Sequence, residues 1–446
     1  MKSVDTILNQ PIHRSFIHYV SLSLLSMLGL SLYILADTFF VANGVGQNGL
    51  TALNLVIPVY NVLNGTGLML GMGGATLYAI ARGERSQKKA NRIFSLTVVV
   101  GLLLGVSITL LGLFFADPLL LFLGATDSTL PLAAGYFKTI LIFALFFVVN
   151  DIMVAFVRND GNPNLAMMGM LLGSLLNTVL DYIFIFPLQM GMTGAALATA
   201  TSPVLSLLIL TLHKRSKDHS LAFSRFTWAK SELISLFSIG FPSFITEFSS
   251  GLVIFLFNKV ILSLVGNIGV ASYGIIANIS LVCVAIFTGI GQGIQPLASV
   301  NFGAGNQKNI LKLISYGFSL ALGIGVLFYS IGFVYSDPII QWFNNEGSAQ
   351  LAALTKQGIH IYFASFLFMG LNIVAIAFFS AVARPRQSFV LSILRGLVLI
   401  IPLLFLFSTV FGLTGIWLTI PFVEGLTLLL TLFFLKRYFS TVDFNR

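Results

Sequence analysis

The sequence predicts an all-α polytopic membrane protein with twelve transmembrane helices in two six-helix lobes, related by a pseudo-two-fold axis along the membrane normal. Three observations carry that prediction. The chain of 446 residues is 57% hydrophobic and 9% charged, against about 25% charged in ordinary soluble domains. Its apolar residues gather into twelve runs long enough to cross roughly 30 Å of hydrocarbon. A shift of about 220 residues lays the second half of the chain on the first.

In chain order the runs lie near residues 15–40, 50–80, 93–115, 131–157, 165–186, 192–212, 232–260, 268–300, 310–335, 351–382, 388–410 and 413–435. The longer ones imply tilt or extension past the bilayer. Residues 1–14 (MKSVDTILNQPIHR) are polar and the run after them has no small-residue cleavage pattern, so the first helix is expected to be retained.

The loops set the orientation. Arg82, Arg85, Lys88, Lys89 and Arg92 follow the second run, Arg158 the fourth, and Lys214, Arg215, Lys217, Arg225 and Lys230 the sixth. Lys308 and Lys312, Arg384 and Arg386, and Lys436 and Arg437 follow the eighth, tenth and twelfth. The opposite connections ANGVGQNG, PLQMGMT and SDPIIQWFNNEG contain no Lys or Arg; only Lys138, Lys259 and Lys356 lie in helix ends near that side. The positive-inside rule then places both termini in the cytoplasm of a multi-pass cell-membrane protein. The formal charge of +9 is interleaved with apolar runs rather than gathered into a basic domain, which excludes nucleic acid as a partner. The single cysteine, Cys283, excludes an intramolecular disulfide and a C-x-x-C metal or redox site.

The internal repeat superposes Gly83, Gln87 and Lys88 on Gly303, Gln307 and Lys308, and Asp117-Pro118 on Asp337-Pro338. One or two residues more align Thr193-Gly194 with Thr414-Gly415 and Pro163 with Pro385. Six helices per repeat give both halves the same orientation, the pattern of a two-lobed transporter. The expected division is an N-terminal lobe over 1–212, a cytoplasmic linker over 213–230 (HKRSKDHSLAFSRFTWAK) and a C-terminal lobe over 231–446. The glycine runs GTGLMLGMGG (65–74) and GIGQGIQP (289–296) occupy corresponding helices and read as close packing with flexibility rather than a phosphate cradle.

Of the fifteen acids, Asp37, Asp151, Asp181, Glu247 and Glu424 fall inside the runs. A charged side chain at the bilayer centre costs roughly 2.5–3.5 kcal/mol on insertion scales, so such residues face a bundle interior or a wet cavity. Asn177 and Asp181, four apart in LLGSLLNTVLDYIFIF, share one helix face. At 1.5 Å per residue Asp181 lies roughly 24 Å from the cytoplasmic start of its helix, and Thr199 falls at a comparable level. With Asp37 they offer four oxygen-bearing side chains, suited to a sodium ion or to a proton on a buried carboxylate. Glu247 has no basic residue in its own helix, whereas Glu424 lies within reach of Arg395 for a structural ion pair, and Asp151 lies two turns from Arg158. His13, His18, His213, His219 and His360 have no metal-ligand spacing.

The stretches ILADTFFVANGVGQNGLTALNLVIPVYNVLNGTGLMLGMGGATLYAIARGE, RNDGNPNLAMMGMLLGSLLNTVLDYIFIF with MGMTGAALAT after it, and IGFPSFITE resemble the multidrug and toxic compound extrusion family, MATE, in its DinF-like branch of bacterial drug exporters. The likeness spans nearly the whole chain. It implies two lobes forming a V, alternating access, and efflux of organic cations or amphipathic drugs driven by an inward proton or sodium gradient. It further implies a first-lobe proton or cation site at Asp37, Asn177, Asp181 and Thr199. Some relatives build a second-lobe site from a Glu in the seventh helix and an Asp in the tenth; here Glu247 supplies the first and Asn372 stands in the tenth. Some relatives also carry a Glu early in the first helix, where this chain has Ser21, Ser23 and Ser26, and a helix-bending proline that 15–40 lacks. The expectation is a monomeric transporter in the lipid bilayer, not an enzyme, with no cofactor besides the coupling ion. The alternatives are a lipid-linked oligosaccharide flippase of the same superfamily and, further off, an integral-membrane enzyme.

Overall fold

The computed structural model describes residues 2–226, 228–344 and 347–441; Thr227 of the expected linker lies outside them. Among the described residues every regular element is helical. The first lobe comprises α1 (Ile12–Gly44), α2 (Gln47–Gly83), α3 (Gln87–Phe114), α4 (Leu130–Ile142 with Ala144–Asn159), α5 (Pro163–Ile185) and α6 (Gly191–Leu210). The second comprises α7 (Lys230–Val265), α8 (Asn267–Gly303), α9 (Gln307–Val334), α10 (Ala349–Ala381), α11 (385–411) and α12 (413–440). The last two form one helical run interrupted at Gly412 (φ 59°, ψ −136°). All twelve expected spans are present, within a few residues of the expected limits.

Local chemistry explains several boundaries. Pro163 and Pro385 occupy the first turns of α5 and α11, where a missing N–H costs nothing. Asn162 caps α5 by accepting from the Leu165 N–H, and Asn306 and Ser348 cap α9 and α10 in the same way. The α4 span bends by 51° at Phe143 without a proline. Beside the bend, the Thr109 hydroxyl of α3 donates to the Leu141 carbonyl at 2.8 Å, pairing an oxygen that a bend would otherwise strand.

The repeat is visible in the backbone itself. The turn between α1 and α2 passes through Gly46 (φ 85°) and that between α7 and α8 through Gly266 (φ 80°), a conformation that only glycine adopts without strain. Asp117 and Asp337 each open a short amphipathic helix, Ala116–Phe122 and Ser336–Phe343. Each pairs with a lysine of the next span, Lys138 at 2.9 Å and Lys356 at 2.8 Å.

Two apolar cores hold the bundle, and the chain crosses between them. One is built from residues between Val41 and Leu236, the other mainly from residues between Phe257 and Tyr438. The first turns of α1 (Ile12, Phe16, Tyr19, Val20) belong to the second core, and Leu236 of α7 belongs to the first. Thus α1 packs on α8 near its start and on α5 near its end, while α7 packs on α2. At the end of the bundle that carries the termini this packing is tight enough to require glycine. A side chain at Gly73 would strike the Leu236 carbonyl, one at Gly293 the Val20 backbone, and one at Gly303, beyond the second run, the Ile80 carbonyl. The glycine runs therefore serve packing, as their composition suggested.

Candidate functional site

Asp37 of α1, Asn177 and Asp181 of α5, and Thr199 of α6 converge in the first lobe, because α5 packs against both α1 and α6. All four are buried, Asp181 and Asn177 completely. Asn177 Nδ2 donates to Thr199 Oγ1 at 3.3 Å. The Asp37 and Asp181 carboxyls lie close enough to interact electrostatically. Two carboxylates are acceptors only, so they bond to one another only when a proton lies between them. Among the described residues no donor reaches either oxygen of Asp181, nor Asp37 Oδ1 or Asn177 Oδ1. No Lys, Arg or His forms an ion pair with either acid among the described residues. The cluster is a set of buried acceptor oxygens with no basic side chain paired to them among the described residues, and its donor set fits a proton or a hard cation such as sodium.

Aromatic hydroxyls line the cluster that sequence reasoning did not reach. Tyr136 of α4 sits against Thr199, and Tyr33 Oη lies 3.3 Å from Tyr60 Oη on the same side of α1 as Asp37. The only available signal was spacing, since Tyr33 precedes Asp37 by four.

The second lobe buries a different constellation. Arg395, in a π-type turn of α11 (Leu394–Val398), reaches Glu424 of α12 with Nη2 at 2.6 Å and Nε at 3.1 Å from Oε1. Asn372 of α10 donates to Glu424 Oε2 at 2.7 Å and accepts from Thr431 at 2.8 Å. The ion pair weighed for Glu424 forms, and Asn372 belongs to it. Glu247 is elsewhere: half-buried on α7, it accepts from Asn64 of α2 at 3.5 Å and lies within electrostatic range of Asp151 on α4. Glu247 and Asn372 therefore share no cluster. Asp151 has no basic partner among the described residues; its carboxyl lies against the bare backbone of Gly67, and Arg158 turns away from it.

A third cluster fastens the segment after α6. Asp160 at the end of α4 accepts from Tyr78 at 2.7 Å, Arg82 at 2.8 Å, His213 Nε2 at 2.8 Å and the Ser220 N–H at 2.8 Å, with the Ser220 hydroxyl also donating. Burial alone would raise the Asp160 carboxyl, but the bonds from His213 and Ser220 and the Arg82 charge hold it below its ordinary value. His219 stacks edge-on to His213, and burial and the His213 ring lower it. Asp160, His213 and His219 are close enough to hold a metal. The carboxylate is already saturated with donors beside a guanidinium, so the residues do not suit one.

Twelve spans in two pseudo-symmetric sets of six, with a buried acid pair that has no counter-ion among the described residues, define a two-lobed membrane transporter. A family model described as MatE matches residues 23–183 and 242–406, and the chain belongs to that family. It is 29% identical over 427 residues to the multidrug export protein MepA of Staphylococcus saprophyticus, covering 94% of this chain and 92% of that one. It is 28% identical over 442 residues to MepA of Staphylococcus aureus, with 97% and 96% covered. Among solved structures, the crystal structure of MATE in complex with MaL6 superposes with a TM-score of 0.92 at 25% identity, over 99% of both chains. The family consists of multi-pass membrane transporters, not enzymes.

Proposed function

We propose that this chain is a secondary antiporter that exports organic cations and amphipathic compounds in exchange for protons or sodium ions. The observation that carries the reading is the buried pair Asp37 and Asp181, with both oxygens of Asp181 and Oδ1 of Asp37 left unsatisfied by any donor among the described residues. An ion entering this cluster removes a large electrostatic cost, so its occupancy stabilises one conformation over another. Asn177 and Thr199 complete the ion site, and Tyr136 positions Thr199. Drug binding belongs between the lobes, where Glu247, held by the Asn64 amide, and Asp151 present negative charge to a cationic group. Asn372 orients Glu424 in the second lobe. A flippase for lipid-linked oligosaccharide is less well served, because the acids at the lobe interface suit cations rather than diphosphates.

In this reading the chain is a monomer in the cell membrane, with lobes over 1–212 and 231–446 joined by a cytoplasmic linker over 213–230. The arginine- and lysine-rich loops place both termini in the cytoplasm. The tightly packed end of the bundle then faces the cytoplasm.

The test is ethidium efflux from proteoliposomes under an imposed proton gradient or an imposed sodium gradient. One gradient alone should drive transport, naming the coupling ion. Failure of both in folded protein contradicts the antiport reading.

A further inference from the structure

At the end of the bundle that carries the termini, the two lobes meet through a buried polar seam that neither the ion cluster nor the drug site uses. Arg158 and Asn159 close α4, and opposite them α8 presents Gln292 and Gln295. Arg158 Nη1 donates to Gln292 Oε1 at 2.7 Å. Asn159 and Gln295 exchange amide hydrogen bonds, Nδ2 to Oε1 at 2.9 Å and Nε2 to Oδ1 at 3.2 Å. Gln295 also donates to Thr76 of α2 at 3.0 Å. Arg158 is 3% exposed and Asn159 and Gln295 1% each. No carboxylate pairs with Arg158 among the described residues.

A permanently closed interface gains more from apolar packing than from buried amides and an unpaired guanidinium. The seam has the opposite virtue. When the lobes part, each of its groups finds water, so the open state leaves no orphaned donor or acceptor. An apolar face exposed in the same way would resist parting. Flanking it, the backbones of α2 and α8 touch at Gly83 and Gly303, so that the faces separate as two smooth surfaces.

We propose that Arg158, Asn159 and Thr76 against Gln292 and Gln295 form the gate that closes this end of the transporter and parts once in each cycle. The proposal rests on the alternating-access reading above and assigns the residues that must come apart. They are positioning residues, since none touches the ion cluster.

The test uses pulsed electron spin resonance on the full-length protein. Cys283, the sole cysteine, is replaced by Ser, and spin labels are placed at Lys88→Cys and Lys308→Cys, exposed repeat-related positions at the starts of α3 and α9. With the gate intact, a short distance should dominate, and imposed gradients or ethidium should raise a longer one. Gln295→Leu strands Asn159 Oδ1 and removes the donor to Thr76 Oγ1 only when the gate is shut, while Asn159 Nδ2 keeps the Ala155 carbonyl. It removes three interlobe hydrogen bonds, so it should raise the ratio of long to short distances by roughly tenfold or more, tenfold being the size of a single lost buried hydrogen bond. Gln292→Leu, which strands Arg158, should do the same, and it keeps the test alive if Gln295→Leu fails to fold. If the parent protein samples both distances and neither variant shifts their ratio, the gate assignment is overturned while alternating access stands. If the parent never leaves the short distance under either gradient or with ethidium, alternating access falls, and the gate with it.

Discussion

Each lobe buries a carboxylate cluster, and the two clusters keep different company. In the second lobe, Glu424 is held by Arg395 through two of its nitrogens and by Asn372, with Thr431 completing the network. In the first, Asp181 lies beside another acid, and its oxygens receive no donor among the described residues. Both acids face the bilayer's penalty on charge. Glu424 meets it with a cation built into the fold, whereas Asp181 needs one from outside. A buried acid that carries its own counter-ion is structural; one that lacks it is a place where an ion can be loaded and unloaded.

The contrast can be tested in order of expected effect. Replacing Asp181 by Asn should reduce gradient-driven efflux to background while the protein remains monodisperse and thermally stable in detergent. The matching change in the second lobe should act on stability instead. Glu424→Gln leaves Arg395 buried without its carboxylate and should cost about 3–5 kcal/mol, read by thermal unfolding. The double variant Arg395→Met with Glu424→Leu should recover most of that loss, because apolar residues of similar volume replace buried pairs well.

A smaller effect is expected at Asp160. Its carboxyl titrates lower in the folded protein than in the unfolded chain, so its contribution is full above about pH 4 and lost as pH falls through the folded value. Asp160→Asn should cost about 1.5–3 kcal/mol at pH 7 and flatten the acid limb of the stability curve. Smallest of all are the repeat-related surface pairs. Lys138→Ala or Lys356→Ala should change stability by less than about 1 kcal/mol, less still at high salt.

Much of the fold was legible in the sequence because the bilayer dictates length and composition, so each span announces itself. The convergence of Asp37, Asn177, Asp181 and Thr199 was legible for a related reason. Asn177 and Asp181 are one helical turn apart in an apolar run, and depth alone brings Asp37 and Thr199 to their level. What sequence hid is what depends on contacts between distant segments. Nothing near Phe143 signals a bend, since the carbonyl it frees is satisfied by Thr109 from another helix. The crossed packing of α1 and α7 is invisible to a repeat, which aligns segments without saying which lobe they lean on. Asp160 gathers donors from Tyr78, Arg82, His213 and Ser220, up to 82 positions away. Gln292 and Gln295 sit in a glycine run that reads as packing, so their partners on α4 were not suspected. Asn372 and Glu247 were grouped by analogy with relatives, and the fold sends one to Glu424 and the other to Asn64.

The most direct measurement compares gradient-driven ethidium efflux from proteoliposomes holding equal amounts of folded Asp181→Asn protein and of the double variant Arg395→Met with Glu424→Leu. The first should be inactive and the second should transport at a rate close to the parent protein. Efflux from Asp181→Asn at the parent rate, or its absence from a folded double variant, would contradict the assignment of the first-lobe cluster as the coupling site.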